Sequence, residues 1–218
     1  MDKDEVIGRI LQAEGRGKTV IFTRTKRAAA RLMEELNDRG FQAGSVHGDM
    51  SQDARERSMA AFKAGKKDVL IATDVAARGI DVDDVTHVIN HTIPEDDKAY
   101  LHRVGRTGRA GKTGIAVTFV DWDDLHKWAL INKALEMGIP EPVETYSSSP
   151  HLFEDLKIEP GTKGRLKLTP IPQKEKRAGQ PPKPQREQQK KPRAHDPSDQ
   201  GDYRGRARTR QRRRTRSS

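Results

Sequence analysis

The chain has 218 residues and a formal charge of +10, a length that accommodates one domain with extensions. It holds no cysteine, which excludes disulfides and thiolate metal sites. No apolar run is long enough to span a bilayer and no signal peptide opens the chain, so a soluble, cytoplasmic protein is expected.

In chain order, Val6, Ile7, Ile10 and Leu11 keep helical spacing. Thr19-Val20-Ile21-Phe22-Thr23 is a short apolar, β-branched run and reads as a buried strand. Residues 26–38, rich in Ala, Leu, Met and Glu and followed by Gly40, read as a helix. A second strand is predicted at 42–46. Ser51 is a good N-cap for a helix to about Lys63, stopped by Gly65. Further strands are predicted at 68–72, 86–90 and 115–120. Pro94 bars continuation of a strand and precedes a helix near 97–103. A last helix runs from about Asp123 to Met137, before Gly138 and Pro140. Strands alternating with helices imply a doubly wound parallel α/β sheet over residues 1–145. Ligands of such sheets sit beyond the carboxyl ends of the strands, and the arginines and acids singled out below are expected in or beside those loops.

After Pro150 the alternation fades. Residues 1–149 carry 22 Lys+Arg against 24 Asp+Glu, whereas residues 150–218 carry 20 against 8. All the excess positive charge therefore lies in the last third. Residues 146–170 read as an extension packing on or leaving the domain. Residues 171–218 read as a disordered tail, because Pro, Gln, Lys and Arg cannot bury enough surface to offset ordering entropy. The tail closes on an arginine-rich arm from Arg204 to Arg214. A basic arm on a near-neutral body suggests a polyanion partner, most often nucleic acid; the bland alternative is a solubilising extension.

The most informative run is His102-Arg103-Val104-Gly105-Arg106-Thr107-Gly108-Arg109. Arginine presents a planar fork of donors that matches phosphate oxygens and stays charged. Glycine lets backbone approach a ligand closely. In many nucleotide hydrolases such arginines reach across an interface to the transferring phosphoryl group. A second run, Ala72 to Asp81, follows a buried strand and offers the Thr73 hydroxyl, the open backbone of Gly79 and an acceptor at Asp81. Its bland reading is a helix-capping Asp74 and a salt-bridged Arg78. A third, His47 to Arg55, leaves the second strand and enters a helix, with Gln52 and Arg55 on one face. An ordinary capped helix start accounts for it equally well.

Gly15-Arg16-Gly17-Lys18-Thr19 ends like a phosphate-binding loop, but Gln12 stands where its first glycine belongs, and the segment follows a helix instead of opening one. It reads as a helix–strand turn. His87 reads as packed within a strand, His126 as a helix-surface residue, and His151 and His195 as tail residues. No His/Asp/Glu spacing suggests a metal site. Trp122 and Trp128 read as packing residues. Asp83, Asp84, Glu95, Asp96 and Asp97 read as solvated caps.

Taken together, these runs resemble the second helicase domain of the DEAD-box RNA helicases. Val20-Ile21-Phe22-Thr23-Arg24-Thr25-Lys26 looks like that family's fourth motif, Ala72–Asp81 like the fifth and His102–Arg109 like the sixth, while His47–Arg55 is similar to the segment after the fourth. The resemblance covers about residues 1–145 and implies a RecA-like fold. It also implies roles. Arg106 and Arg109 would be arginine fingers on the γ-phosphate of ATP, reaching it from one side of a two-domain cleft. His102 would couple the ATP and RNA sites. Asp81 would contact the nucleotide ribose, with Arg78 and Gly79 supporting that loop. Thr73, Gly48, Gln52, Arg55 and Arg24 would lie along a sequence-independent RNA backbone track. Two positions depart from the family: Thr92 stands where an aspartate is frequent, and Val104 where isoleucine is usual.

No Walker-type lysine loop and no Asp-Glu-Ala-Asp run occurs in the chain. In the family these belong to the first domain, which supplies the triphosphate and Mg2+ ligands. Met1 opens directly on a helix ahead of this domain, so the sequence reads as the C-terminal half of a helicase with its natural tail, inactive alone as an ATPase. Two other readings stay open: a non-catalytic RNA-binding or annealing module worked by the basic arm, and a DNA helicase of the same superfamily.

Overall fold

The computed structural model describes residues 2–77, 82, 84–109 and 111–166. The expected disordered tail at 171–218, and Arg78, Gly79 and Asp81, lie outside the described residues. Within them the chain runs α1 (Lys3–Ile10), β1 (Lys18–Phe22), α2 (Lys26–Asp38), β2 (Ala43–Val46), α3 (Gln52–Lys63), β3 (Val69–Ala72), α4 (Asp74–Ala77), β4 (Val85–Asn90), α5 (Asp97–Val104), β5 (Ile115–Thr118), a 3-10 turn (Trp122–Asp124), α6 (Leu125–Ala134) and α7 (Pro150–Asp155). The five strands form one parallel sheet in the order β2-β3-β1-β4-β5, the doubly wound α/β architecture that the alternation of elements implied.

Helices cover both faces, which is why Val20-Ile21-Phe22 of β1 and Val69-Leu70-Ile71-Ala72 of β3 are unbroken apolar runs. Successive side chains of a strand point to opposite faces. Accordingly Ile21, Val69, Ile71 and Ile89 pack with α1 and α2 through Ile7, Ile10, Leu32 and Leu36. Their neighbours Val20, Phe22, Leu70, Ala72 and Val88 pack on the other face with Phe62 of α3. Local signals set the helix ends. The hydroxyls of Thr25 and Ser51 accept from the backbone N–H of Ala28 and Ala54, and the Asp96 carboxylate accepts from Ala99. Gly40, at φ 94°, ends α2 in a left-handed turn in which Phe41 N–H reaches the Leu36 carbonyl.

The packing continues past Pro150, where the sequence pattern fades. Leu152 of α7 and Ile158 are buried in the α1–α2 core. Gly164 N–H donates to the Glu5 carboxylate, and Arg39 donates to the Gly164 carbonyl. His151, expected in a tail, lies in α7 with its Nε2 2.8 Å from the Thr145 hydroxyl. The signal was missed because two buried apolar residues, six apart, carry no periodicity. Gly8 of α1 lies directly under Gly164, and a Cβ at Gly8 would overlap the Gly164 backbone carbonyl. Gly8→Ala is expected to cost about 1–3 kcal/mol of overpacking, read as a lower midpoint in urea melts; an unchanged midpoint would show that this contact holds nothing in place.

Candidate functional site

The residues singled out in the sequence divide between two ends of the sheet. Arg24, Gly48 and Thr73 follow the carboxyl ends of β1, β2 and β3. The run from His102 to Arg109 does not stay there. Helix α5 travels back along the sheet, as a crossover helix does, and beyond its end the Thr107 hydroxyl donates to the carbonyl of Val85, the first residue of β4, at 2.6 Å. The expectation that every singled-out arginine sits by a carboxyl-end loop is therefore corrected for Arg106 and Arg109. They flank Thr107, near the amino end of β4.

The three arginines of that run differ in kind. Arg103 is 3% exposed, and its guanidinium makes four hydrogen bonds inside the fold. Its Nε and one terminal nitrogen donate to the two Asp74 carboxylate oxygens, each at 2.7 Å. The other terminal nitrogen donates to the Thr92 carbonyl at 2.7 Å and the Asn90 side-chain oxygen at 3.2 Å. The plane lies over the Phe22 ring, 5.2 Å from its centroid. Asp74, the first residue of α4, thus serves Arg103. Arg106 and Arg109 stay half-buried at the surface. Each turns its Nε onto a carbonyl four residues back, Arg106 to His102 at 3.2 Å and Arg109 to Gly105 at 2.9 Å. Burial, and then the charge of Arg109, push the Arg106 guanidinium below its ordinary value. His102 is exposed on α5. His102, Arg103 and Arg106 line a pocket of about 450 Å³ with Phe22, Asp74 and Ala77.

On the opposite side, Gly48 is unusual. Among the described residues it is the one glycine with neither a positive φ nor any neighbour that a Cβ would meet. Neither backbone conformation nor internal packing calls for glycine there. Thr73 is half-buried, beside the Val46 carbonyl that its N–H faces at 3.4 Å. Gln52 opens α3 and donates to Glu56 at 2.8 Å. Arg55, one turn on, donates to the Ala76 carbonyl of α4 at 2.8 Å, so α3 and α4 are joined beside Thr73. Arg24 is held at longer range, 3.8 Å from Glu95 and 3.6 Å from Asp124.

The run from Gly15 to Thr19 leads from α1 into β1, as a helix–strand turn does. The Lys18 ammonium there is engaged by the Lys63 carbonyl at 2.7 Å and by Asp84 at 2.8 Å. Trp128 packs as expected, 6% exposed, with its indole N–H on the Ile139 carbonyl. Trp122 does not: at 72% exposure it stands out of the 3-10 turn before α6. Sequence reasoning also missed Asp74 and Arg103 as a pair, because 29 residues separate them and neither element carries a local signal for the other.

His87 and His91 are both pushed below the ordinary histidine value of 6.5, chiefly by burial. The unfolded chain therefore takes up protons first as pH falls. Stability is complete above about pH 6.5 and is lost as pH drops below that value toward the lowered folded values. The melting temperature is expected to fall between pH 7 and pH 5, and less so in His87→Leu; a flat profile would contradict neutral buried imidazoles.

The match to known proteins follows this geometry. Residues 2–111 match the family model described as the helicase conserved C-terminal domain. A protein of Geobacillus kaustophilus named DEAD-box ATP-dependent RNA helicase CshA is 50% identical over 118 residues, 54% of this chain and 25% of that protein. The ATP-dependent RNA helicase CshA of Limosilactobacillus reuteri is 41% identical over 144 residues, 65% of this chain and 29% of the relative. The chain spans about a quarter of the length of the curated relatives it matches. Among solved structures, S. cerevisiae Dbp5 bound to RNA and ADP BeF3 superimposes with a TM-score of 0.62 at 33% identity, over 72% of this chain and 41% of that one. The E. coli DEAD-box protein SrmB, solved with regulator of ribonuclease activity A, gives 0.57 at 32% identity, over 61% and 79%. With this RecA-like sheet and the motifs at these positions, the chain belongs to the helicase conserved C-terminal domain family, on its DEAD-box branch.

Proposed function

We propose that the chain is the half of an ATP-dependent RNA helicase that completes a nucleotide site from across a cleft and holds part of the RNA backbone. The observation that carries this reading is the pair Arg106 and Arg109. Two guanidiniums are anchored by their Nε atoms at the end of one helix, and the charge of one is disfavoured by burial and by the other. A phosphate oxygen relieves that repulsion and matches the fork geometry of both side chains. Arg106 and Arg109 thus act on the γ-phosphate of ATP, and His102, exposed beside them, faces the companion domain and couples the ATP and RNA sites. Among the described residues no group of three acids or histidines fits a metal ion. The Mg2+ ligands and the triphosphate cradle are assigned to the companion domain. Asp81, Gly79 and Arg78 take the ribose side of the nucleotide on the strength of their sequence run.

The RNA track runs past Gly48, Thr73, Gln52, Arg55 and Arg24. Open space over Gly48 lets a sugar–phosphate chain approach the backbone where a side chain would stand in its way. The excess charge of residues 150–218 adds a salt-sensitive grip on RNA. In the complete helicase, Gly48→Val is expected to weaken single-stranded RNA binding about tenfold, as loss of close phosphate contacts does. It should leave the melting temperature unchanged, since nothing surrounds the site. Equal affinity in binding titrations would remove Gly48 from the track. The chain alone is expected to hydrolyse no ATP, and steady turnover by purified chain would overturn a site shared between two domains.

A further inference from the structure

Trp122 is 72% exposed, although the 3-10 turn that carries it is fastened on both sides. Asp121, before it, takes the Lys3 ammonium at 2.5 Å. Asp124, two residues on, faces the Arg24 guanidinium at 3.6 Å and the Lys127 ammonium at 3.5 Å. Glu95 completes the cluster, 3.8 Å from Arg24 and 3.3 Å from Lys127. These ion pairs hold the turn by its acids and leave the indole standing out of it.

The turn is in line with the residues proposed to hold RNA. Gly48, Thr73 and Arg24 follow the carboxyl ends of β2, β3 and β1, and Trp122 follows that of β5, in a sheet ordered β2-β3-β1-β4-β5. Two strand spacings, about 10 Å, separate the ends of β1 and β5, and Arg24 itself reaches across to Asp124. A single strand that passes Arg24 toward β5 meets an exposed indole next. Asp121, Asp123 and Asp124 bring negative charge to this turn, which disfavours a phosphate there. The flat face of a base carries no such charge, and any base stacks on an aromatic ring.

We infer that Trp122 is a base-stacking platform that extends the RNA track beyond Arg24. The inference rests on the RNA track proposed above. It adds a contact to base faces that has no sequence preference and neutralises no phosphate.

The test is a set of binding titrations of the complete helicase with single-stranded oligoadenylate. Trp122→Ala is expected to weaken binding about tenfold, with an unchanged slope of log affinity against log salt, because no ion pair is lost. Trp122→Phe should keep most of the affinity. Trp122→Leu should lose it as alanine does. Trp122 also lines the groove beside β5 with Leu125 and Tyr146, and as a mere apolar lip of that groove it would be replaced by leucine without loss. Wild-type affinity in Trp122→Leu or Trp122→Ala, with Gly48→Val weakened, would overturn the stacking alone; wild-type affinity in Gly48→Val as well would overturn the track on which it rests. A shallower salt slope in Trp122→Ala would also overturn stacking. The chain itself gives a second readout, since Trp122 and Trp128 are its two tryptophans and Trp128 is buried. Saturating oligoadenylate is expected to quench its indole emission, and Trp122→Phe to abolish the quench; a quench that persists in Trp122→Phe would contradict a base on Trp122.

Discussion

Replacing Arg106 with alanine in the complete helicase is expected to lower RNA-stimulated ATP turnover by about 10³-fold or more, the range that arginine fingers contribute in related phosphoryl transfers. The argument starts from charge. The guanidinium is half-buried, beside Arg109, and held by its Nε on the His102 carbonyl. Two adjacent guanidiniums suit a place where negative charge gathers as a terminal phosphate departs. Arg106→Ala should therefore act on turnover and leave RNA affinity intact. Arg106→Lys should recover little, since a lysine is a point charge without the fork. Arg109→Ala should behave alike, as the second member of the pair. Wild-type turnover in either alanine variant would remove that residue from the nucleotide site.

The second large effect concerns the basic arm. Removing residues 150–218 would be a poor experiment, because Leu152 and Ile158 are buried in the core and Gly164 is packed on α1. A stop after Leu166 keeps that packing and removes the arginine-rich segment. Each phosphate neutralised by Lys or Arg adds about 0.7 to the slope of log affinity against log salt on single strands. The shortened protein is expected to lose RNA affinity at least tenfold near 0.1 M salt, to show a shallower salt slope, and to melt at the same temperature. Equal affinity and equal slope in the two proteins would make the arm a solubilising extension.

The sheet was legible because its strands are covered on both sides. Val20-Ile21-Phe22 and Val69-Leu70-Ile71-Ala72 have to be apolar at every position when α1 and α2 lie over one face and α3 over the other. Thr25, Ser51 and Gly40 marked helix ends through chemistry confined to a few residues. What the sequence left unread depends on distant partners. Asp74 at the start of α4 gives no hint of Arg103, which reaches it from 29 residues away. Trp122 looks like core until the 3-10 turn lifts it out. The stretch from 150 to 166 carries too few apolar residues to show a period, yet its two buried ones complete the α1–α2 core. For the candidate site, Arg24, Gly48 and Thr73, proposed for the RNA side, lie beyond β1, β2 and β3. Arg106 and Arg109 do not lie there, and a loop rule drawn from strand ends takes no account of a helix that carries its last turn back to the amino end of β4.

The measurement closest to the central claim is a structure of the complete helicase with RNA and ADP BeF3, the ligands with which the related Dbp5 has been solved. Terminal guanidinium nitrogens of Arg106 and Arg109 are expected about 2.7–2.9 Å from the beryllium fluoride, the span of charge-assisted hydrogen bonds. Both side chains turned away, with the fluoride held by the companion domain alone, would contradict a nucleotide site completed by this chain.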